Sequence, residues 1–252
     1  MIPLAGQRVW VIGASSGIGA AVAGELVRRG SLVAVSARRQ QELERVAADR
    51  MAIATLDVAD ARSVVSAANT VEAALGSIDS IIIAAGYWQR MDARAFDREE
   101  FVRHIEANVI GMANCIDAVL PRMLARGSGT IVGISSVAGY RGLAGAQGYG
   151  ASKAAQLNLL ESLRVGLRGT GVSVQTISPG FVETPMTEGN TFPMPFIISA
   201  DRAARAIVRG IARGRAEVVF PLPMAVSMKA ARLVPQQWWP RLAGGRSRRY
   251  AS

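Results

Sequence analysis

Between Ser136 and Lys153 stand three side chains that can move a proton together: the Ser136 hydroxyl, the Tyr149 phenol and the Lys153 ammonium. Tyr149 and Lys153 are spaced i, i+4, so in a helix beginning near Gly148 they share one face, a turn apart. An ammonium beside a phenol favours the phenolate and lowers a pKa that is about 10 in a free peptide. A tyrosine placed in this way can serve as acid and base near neutral pH. Ser135 and Ser136 are neighbours and point opposite ways at a strand end. Tyr140 has Ala144 rather than a lysine four residues on, which assigns it to a pocket wall or to packing.

Such groups need a scaffold, and the chain alternates two kinds of segment. Arg8–Ile12, Leu32–Ser36, Ala52–Leu56, Ser80–Ala84, Thr130–Ser135, Val172–Ser178 and Ala216–Phe220 are short, apolar, strand-like runs. Helical spacing falls between them: after Gly19 up to Gly30, Arg39–Arg50, and from Asp60 to about Leu75. Further helices are expected over Gly148–Leu167 and Ala200–Arg213. One continuous helix is expected from Asp97 to about Arg126, with Phe101, Ile105, Val109, Met112, Ile116, Val119 and Met123 three or four residues apart. Strict alternation with short connections predicts an α/β protein. The expected fold is a single Rossmann-like doubly wound domain, with about seven parallel strands and helices on both faces. It spans residues 1–220 and includes a lid at 185–199; residues 221–252 form a basic C-terminal extension.

Composition narrows the function classes. The chain has 252 residues, half of them hydrophobic, ample for a sizeable core. Its start does not read as a signal peptide, and its longest charge-free run, Val9–Gly24, is too short and glycine-rich to span a bilayer. The single cysteine, Cys115, excludes an internal disulfide and fits a reducing compartment, so a cytoplasmic location is expected. The net charge of +10 is mostly arginine spread over helix faces, and nucleic-acid binding is not expected from it. No metal-ligand spacing occurs. The lone histidine, His104, has no partner in the sequence, and Cys115 reads as a small buried residue.

The first strand–turn–helix carries glycines at 13, 17 and 19. Glycines permit a tight turn and close backbone approach, and the helix that follows presents amides to a pyrophosphate. NAD sites place an acid at the end of the second strand to hold the ribose diol. Here that strand ends Ser36-Ala37-Arg38-Arg39. Two guanidiniums suit a 2′-phosphate, so NADP(H) is preferred over NAD(H); alternatively they are a solvated first helical turn. Asp57, with Val58 after the third strand, either accepts from an adenine amino group or caps the turn before Asp60.

Taken together, the residues resemble the short-chain dehydrogenase/reductase family, in its branch of about 250 residues. The matching set is Gly13-Ala14-Ser15-Ser16-Gly17-Ile18-Gly19, Asp57-Val58, Ala85-Gly86, Asn108, Ser136, Tyr149-x-x-x-Lys153 and Pro179-Gly180 with Thr184. The resemblance implies hydride transfer between the cofactor and a carbonyl/alcohol pair. It implies that Tyr149 is the acid–base, that Lys153 lowers its pKa and binds the nicotinamide ribose, and that Ser136 holds the substrate carbonyl. It further implies that Asn108 helps hold a water linking Lys153 to solvent, and that Pro179, Gly180 and Thr184 line the nicotinamide side. The family's spacing selects Ser136 over Ser135. Where the family often has Asn-Asn-Ala-Gly after the fourth strand, this chain has Ile83-Ala84-Ala85-Gly86, which puts local hydrogen bonding in question. The family's helices matching 97–126 and 148–168 often pair across subunits, which implies a homodimer or tetramer.

On the substrate side, Met186, Phe192, Met194, Phe196, Ile197 and Ile198 make an apolar lid, and Tyr87, Trp88, Gln89 and Arg90 lie nearby. Either they face an apolar or bulky substrate, or they pack the lid down. From Phe220 to Ser252 there are six Lys/Arg and no acid. Met224, Met228, Ala231 and Leu233 form one short apolar face there, with Lys229 and Arg232 on another. Trp238-Trp239 and the cations Arg241, Arg246, Arg248 and Arg249 follow. Trp beside cations is a membrane-interface combination, so two positions are open for the tail: over the substrate region or a neighbouring subunit, or against a membrane. The alternatives to a cytoplasmic oxidoreductase are a non-catalytic nucleotide-binding regulatory protein on the same fold and a membrane-associated reductase of lipid-like substrates.

Overall fold

A computed structural model describes residues 3–244; the cations at Arg246, Arg248 and Arg249 lie outside the described residues. Its centre is a seven-stranded parallel sheet. The strands are β1 (Arg8–Ile12), β2 (Leu32–Ser36), β3 (Ala52–Ile53), β4 (Ser80–Ile83), β5 (Gly129–Ile134), β6 (Val172–Pro179) and, last in sequence, β9 (Glu217–Phe220). Their spatial order is β3-β2-β1-β4-β5-β6-β9, every pairing parallel. The order reverses between β1 and β4, where a doubly wound sheet opens a crevice at the carboxyl ends of its strands.

The two-residue period of a strand distributes the core. Val9 and Val11 pack with Val22 and Leu26 of α1 (Gly17–Arg28) and with Ile207 and Ile211 of α8 (Ala200–Ala212). Trp10 and Ile12 face the other way, onto Val64 and Val71 of α3 (Ala61–Leu75) and Met112 and Val119 of α5 (Gly111–Ala125). Each such fully buried side chain contributes about 1.5–3 kcal/mol. The indole of Trp10 also donates to Ser36 Oγ at 2.8 Å, which satisfies the one polar atom it buries. Between β2 and β3 lies α2 (Gln40–Ala47).

Two elements differ from expectation. The third strand is regular only over Ala52–Ile53, at the sheet edge, although Ala54 N and Leu56 N still donate to Val35 O and Ala37 O at 3.1 Å before the turn at Asp57. The long helix is interrupted: α4 (Arg98–Ile105) passes through a π-helical turn, Glu106–Ile110, into α5. That turn carries Asn108, which is fully buried. Apolar residues continue at helical spacing across the break, so spacing alone does not reveal it. Single π turns are common at functional sites.

Past β6 a small ribbon forms from β7 (Val182–Glu183) and β8 (Ile198–Ser199), with the short α7 (Pro185–Glu188) between them. The C-terminal part is helical, as α9 (Leu222–Ala231) and α10 (Trp239–Gly244). Met224, Met228 and Ala231 are buried as one face; Leu233, expected on that face, is 86% exposed because the helix has already ended. The segment is pinned to the body by polar contacts. Tyr140 OH donates to Glu217, Lys229 Nζ reaches Glu217 at 2.8 Å, and Arg232 lies over the Tyr140 ring. Arg141 donates to the Val234 carbonyl at 2.5 Å and stacks over Trp239, whose Nε1 donates to Gly142 O at 2.6 Å. Among the described residues no helix is long and apolar enough to cross a membrane.

Candidate active site

The crevice at the β1/β4 reversal is a cleft of about 440 Å³. Its floor is backbone. Gly13 sits at φ +82, and a Cβ there would lie 2.4 Å from Ala85 N; a Cβ on Gly19 would lie 2.2 Å from Gly13 O. Only glycine allows β1, α1 and the strand-β4 exit to approach this closely. Ser16 is the N-cap of α1 but makes no side-chain cap bond. The cleft is lined by Gly13, Ser15, Ser16, Gly17, Ile18 and Gly19, then Arg38, Arg39, Asp57, Val58, Ala85 and Gly86. At its inner end come Ser136, Tyr149, Lys153, Pro179, Gly180 and Thr184. These candidate residues thus converge from eight separate stretches of chain. Asn108 alone lies behind the wall, its Oδ1 3.4 Å from where a Gly86 Cβ would be.

The outer end of the cleft lies beside the carboxyl end of β2. Arg38 and Arg39 are exposed at the end of β2, and Arg39 Nη2 donates to Ser15 Oγ at 3.3 Å. No carboxylate occupies the end of that strand. Asp57 Oδ1 accepts from Ala59 N at 3.0 Å, so Asp57 caps its turn while also facing the cleft. Asp60 separately caps α3 through Arg62 N. A backbone cradle, a helix N-terminus and two exposed guanidiniums thus line this end of the cleft.

At the inner end, α6 (Gln147–Gly166) carries Tyr149 and Lys153 on one face, and the end of β5 presents Ser136. Ser136 Oγ accepts from Ala138 N at 3.1 Å and lies 3.4 Å from Pro179 O. Burial pushes the Tyr149 phenol up to about 12, against an opposing hydrogen bond from Ser136. Burial pushes the Lys153 ammonium down to about 7. The expected lowering of the phenol by Lys153 is not what sets Tyr149 in this structure. The ammonium is held elsewhere: Nζ donates to Ile134 O at 3.1 Å and to Gln156 Oε1 at 2.9 Å, and lies 5.4 Å from the centre of the Tyr149 ring. Ser135 turns its hydroxyl onto the Lys153 carbonyl at 2.9 Å.

Asn108 ties three segments together. Its Oδ1 accepts from Tyr87 N at 2.7 Å, and its Nδ2 donates to Tyr87 O and Ser152 Oγ. Its backbone carbonyl accepts from Gln156 Nε2 at 2.5 Å. The departure at Ile83-Ala84-Ala85-Gly86 leaves the sheet contact intact, with Ala84 N donating to Ile12 O at 2.8 Å.

A second cleft, about 560 Å³ and mostly apolar, adjoins the first and shares Ser136, Tyr149, Gly180, Met186 and Thr187 with it. Trp88 stands edge-on to Tyr149 at 5.1 Å and to Phe192 at 6.4 Å, and donates to Asn190 Oδ1 at 3.1 Å. The lid divides between its two expected roles. Met186, Phe192 and Phe196 line the cleft, whereas Ile198 packs into the core in β8. The far wall comes from the C-terminal segment: Met224, Met228, Trp239 and Leu242. Tyr140 is not in either lining; its hydroxyl, pushed up first by burial and then by Glu217, serves the tail anchor. His104 is fully buried, accepts from Gln89 N at 3.1 Å and packs on Tyr87, so it pins the 87–90 loop to α4. Burial pushes the Cys115 thiol up to about 12, which makes it inert.

The chain matches the family model for short chain dehydrogenases over residues 7–192. It is 41% identical over 231 residues to an uncharacterized oxidoreductase of Myxococcus xanthus, covering 89% of this chain and 91% of that one. It is 34% identical over 214 residues to cis-4-hydroxycyclohexanecarboxylate dehydrogenase of Sinomonas cyclohexanicum, covering 82% and 84%. Among solved structures it is similar to an actinorhodin polyketide ketoreductase with NADPH, at a TM-score of 0.78 and 25% identity over 87% of this chain and 97% of that one. The protein belongs to the short-chain dehydrogenase/reductase family and is an oxidoreductase of that family.

Sequence reasoning missed Gln156, while Trp88 and the tail, expected near the pocket and over the substrate region, do line the second cleft, with contacts such as Trp88 on Tyr149 that it did not specify. A signal existed for Gln156. Gln156 is one turn beyond Lys153 on the stripe Ser152, Lys153, Gln156 and Leu160, a polar group on the buried face of a helix. The unspecified contacts depend on long-range packing that no local pattern encodes.

Proposed function

We propose that the protein is an NADP(H)-dependent oxidoreductase that interconverts an apolar or bulky carbonyl and its alcohol, with Tyr149 as the acid–base. The observation that carries this reading is the position of Ser136 and Tyr149 at the junction of two clefts, one polar and backbone-walled, the other apolar. The first suits the dinucleotide and the second the substrate. Gly13, Ser15, Ser16, Gly17, Ile18 and Gly19 would hold the pyrophosphate, Arg38 and Arg39 the 2′-phosphate, and Asp57 and Val58 the adenine. Ala85, Gly86, Pro179, Gly180, Thr184 and Lys153 would hold the nicotinamide half. The NADPH in the ketoreductase structure supports the cofactor reading.

When bound, the cofactor supplies hydride chemistry at the nicotinamide ring. The chain's own residues do the rest. Ser136 Oγ donates to the substrate oxygen and fixes it beside the phenol. Tyr149, protonated near pH 7 because burial raises its pKa, gives its proton to that oxygen as the carbonyl becomes an alcohol. In the reverse direction the phenolate takes the proton back. Asn108, through Tyr87 and Ser152, braces the wall behind the nicotinamide side. Residues 1–220 form the dinucleotide-binding and catalytic unit, and 221–252 form an extension that completes the substrate cleft. The protein works in the cytoplasm as a homodimer or tetramer.

Replacing Tyr149 with Phe is expected to lower NADPH-linked reduction of apolar ketones by 10³-fold or more while NADPH binding stays near normal, about 4 kcal/mol off the transition state. Full turnover by that variant sinks the mechanism. No turnover by the wild type across apolar aldehydes, ketones and alcohols would favour the non-catalytic reading. One observation favours membrane contact as a second reading. Helix α9 leaves Leu222 and Val226 exposed beside the cation Lys229, away from its buried face. Co-sedimentation with anionic vesicles, with and without residues 222–252, tests it.

A further inference from the structure

One side chain joins Lys153 to Asn108. Gln156 is fully buried, one turn past Lys153 on α6. Its Oε1 accepts from Lys153 Nζ at 2.9 Å, and its Nε2 donates to the Asn108 carbonyl at 2.5 Å. Only one amide orientation satisfies both partners, because an ammonium can only donate and a carbonyl can only accept. The bridge is therefore directional. It also depends on the π-helical turn, which sets Asn108 in the interior, opposite α6.

We propose that Gln156 is a positioning residue whose amide, itself held by the Asn108 carbonyl, clamps the Lys153 ammonium together with the Ile134 carbonyl, and so sets how firmly Lys153 keeps its proton. This rests on the functional reading above. An amide is a clamp and not a relay. To pass a proton from Nζ to the Asn108 carbonyl it would have to become an imidic acid, losing the resonance that makes it planar. Proton exchange at Lys153 is thereby confined to the side facing the cofactor cleft, which Lys153 lines. The groups around Nζ are Tyr149 and Gln156 from its own helix, the Ile134 carbonyl from the end of β5, and Asn108 from the π turn, which holds Gln156. Tyr149 alone among them titrates, and none carries a negative charge near neutral pH. Burial favours the neutral amine, so the amide oxygen is a principal group opposing that loss.

The chain contains two lysines, Lys153 and Lys229, so protein labelled with 13C at lysine Cε gives two resolvable titrations without any cofactor. Gln156→Leu is expected to move the Lys153 midpoint down by about one pH unit, since a hydrogen bond to the charged form is lost. Gln156→Glu, of nearly the same shape, is expected to move it up. Lys229 serves as the internal reference, and thermal unfolding confirms that both variants fold. The alkaline limb of ketone reduction should shift in the same two directions. If Lys153 titrates at the wild-type midpoint in both variants, the clamp is overturned. If the midpoints shift as expected and no variant or wild type reduces any ketone, the clamp stands and the functional reading falls.

Discussion

The two clefts that meet at Tyr149 are built in opposite ways. The cofactor cleft is walled by backbone, at glycines where a single carbon would collide with the opposite strand exit. The substrate cleft is walled by side chains from four distant segments, including two helices after the last strand of the sheet. Where the wall is backbone, at Gly13 and Gly19, a side chain has no room. Side-chain walls can be exchanged without disturbing the sheet. One fold can thus keep a fixed cofactor and vary its substrate, as the difference between loop-borne and scaffold-borne residues leads one to expect.

The sharpest test of the contrast is a methyl group. Gly13→Ala adds a Cβ 2.4 Å from Ala85 N at a positive φ. It is expected to cost about 3 kcal/mol or more by chemical denaturation, through overpacking and backbone strain together. An alanine at Gly13 that left stability unchanged would remove the claim that this cleft is backbone-limited.

A side-chain test of the same cleft is milder. Replacing Arg38 and Arg39 together with Ala should weaken NADPH binding about 10–100-fold and leave NADH binding nearly unaffected, as loss of charge-assisted hydrogen bonds predicts. Fluorescence titration of both cofactors reads this directly, and equal losses for the two would refute the assignment of the 2′-phosphate.

The substrate cleft should respond to its anchor with the smallest effect. Glu217 accepts from Tyr140 and pairs with Lys229, and these bonds hold α9 in place. Burial works to raise its carboxyl, but the Lys229 and Tyr140 hydrogen bonds outweigh it and hold the group below the usual range. A depressed folded pKa means stability that is present above the unfolded value, about 4.3, and is lost as pH falls through the folded one. Glu217→Gln should remove that acid-side loss and cost about 1 kcal/mol at pH 7. It should also raise KM for an apolar ketone while leaving NADPH affinity alone. A change in NADPH affinity instead would mean that the tail anchor serves the other cleft.

The same asymmetry explains what the sequence reveals. The sheet and its order of elements follow from alternating apolar runs, and six of the seven strands match within a residue or two. The glycine turn, Arg38, Arg39, Ser136, Tyr149 and Lys153 are legible because backbone geometry and helical spacing leave a local trace. The π turn at Glu106–Ile110 is not, since Phe101 to Met123 keep their apolar spacing across it. Nor is the hold on Lys153. Its i, i+4 relation to Tyr149 is correct, yet the ammonium's partners are an Ile134 carbonyl and a Gln156 amide, chosen by tertiary packing. Leu233 fails for a plainer reason, because a helical face ends where its helix does.

Gly180, Met186 and Thr187 belong to both clefts at once. A ligand that repositions this stretch from one side alters the wall met by a ligand on the other. At equilibrium such an influence is symmetrical: whatever factor the dinucleotide exerts on the affinity of the carbonyl compound, the carbonyl compound exerts on the dinucleotide. A partition thin enough to be touched from both sides makes the two affinities a single linked quantity.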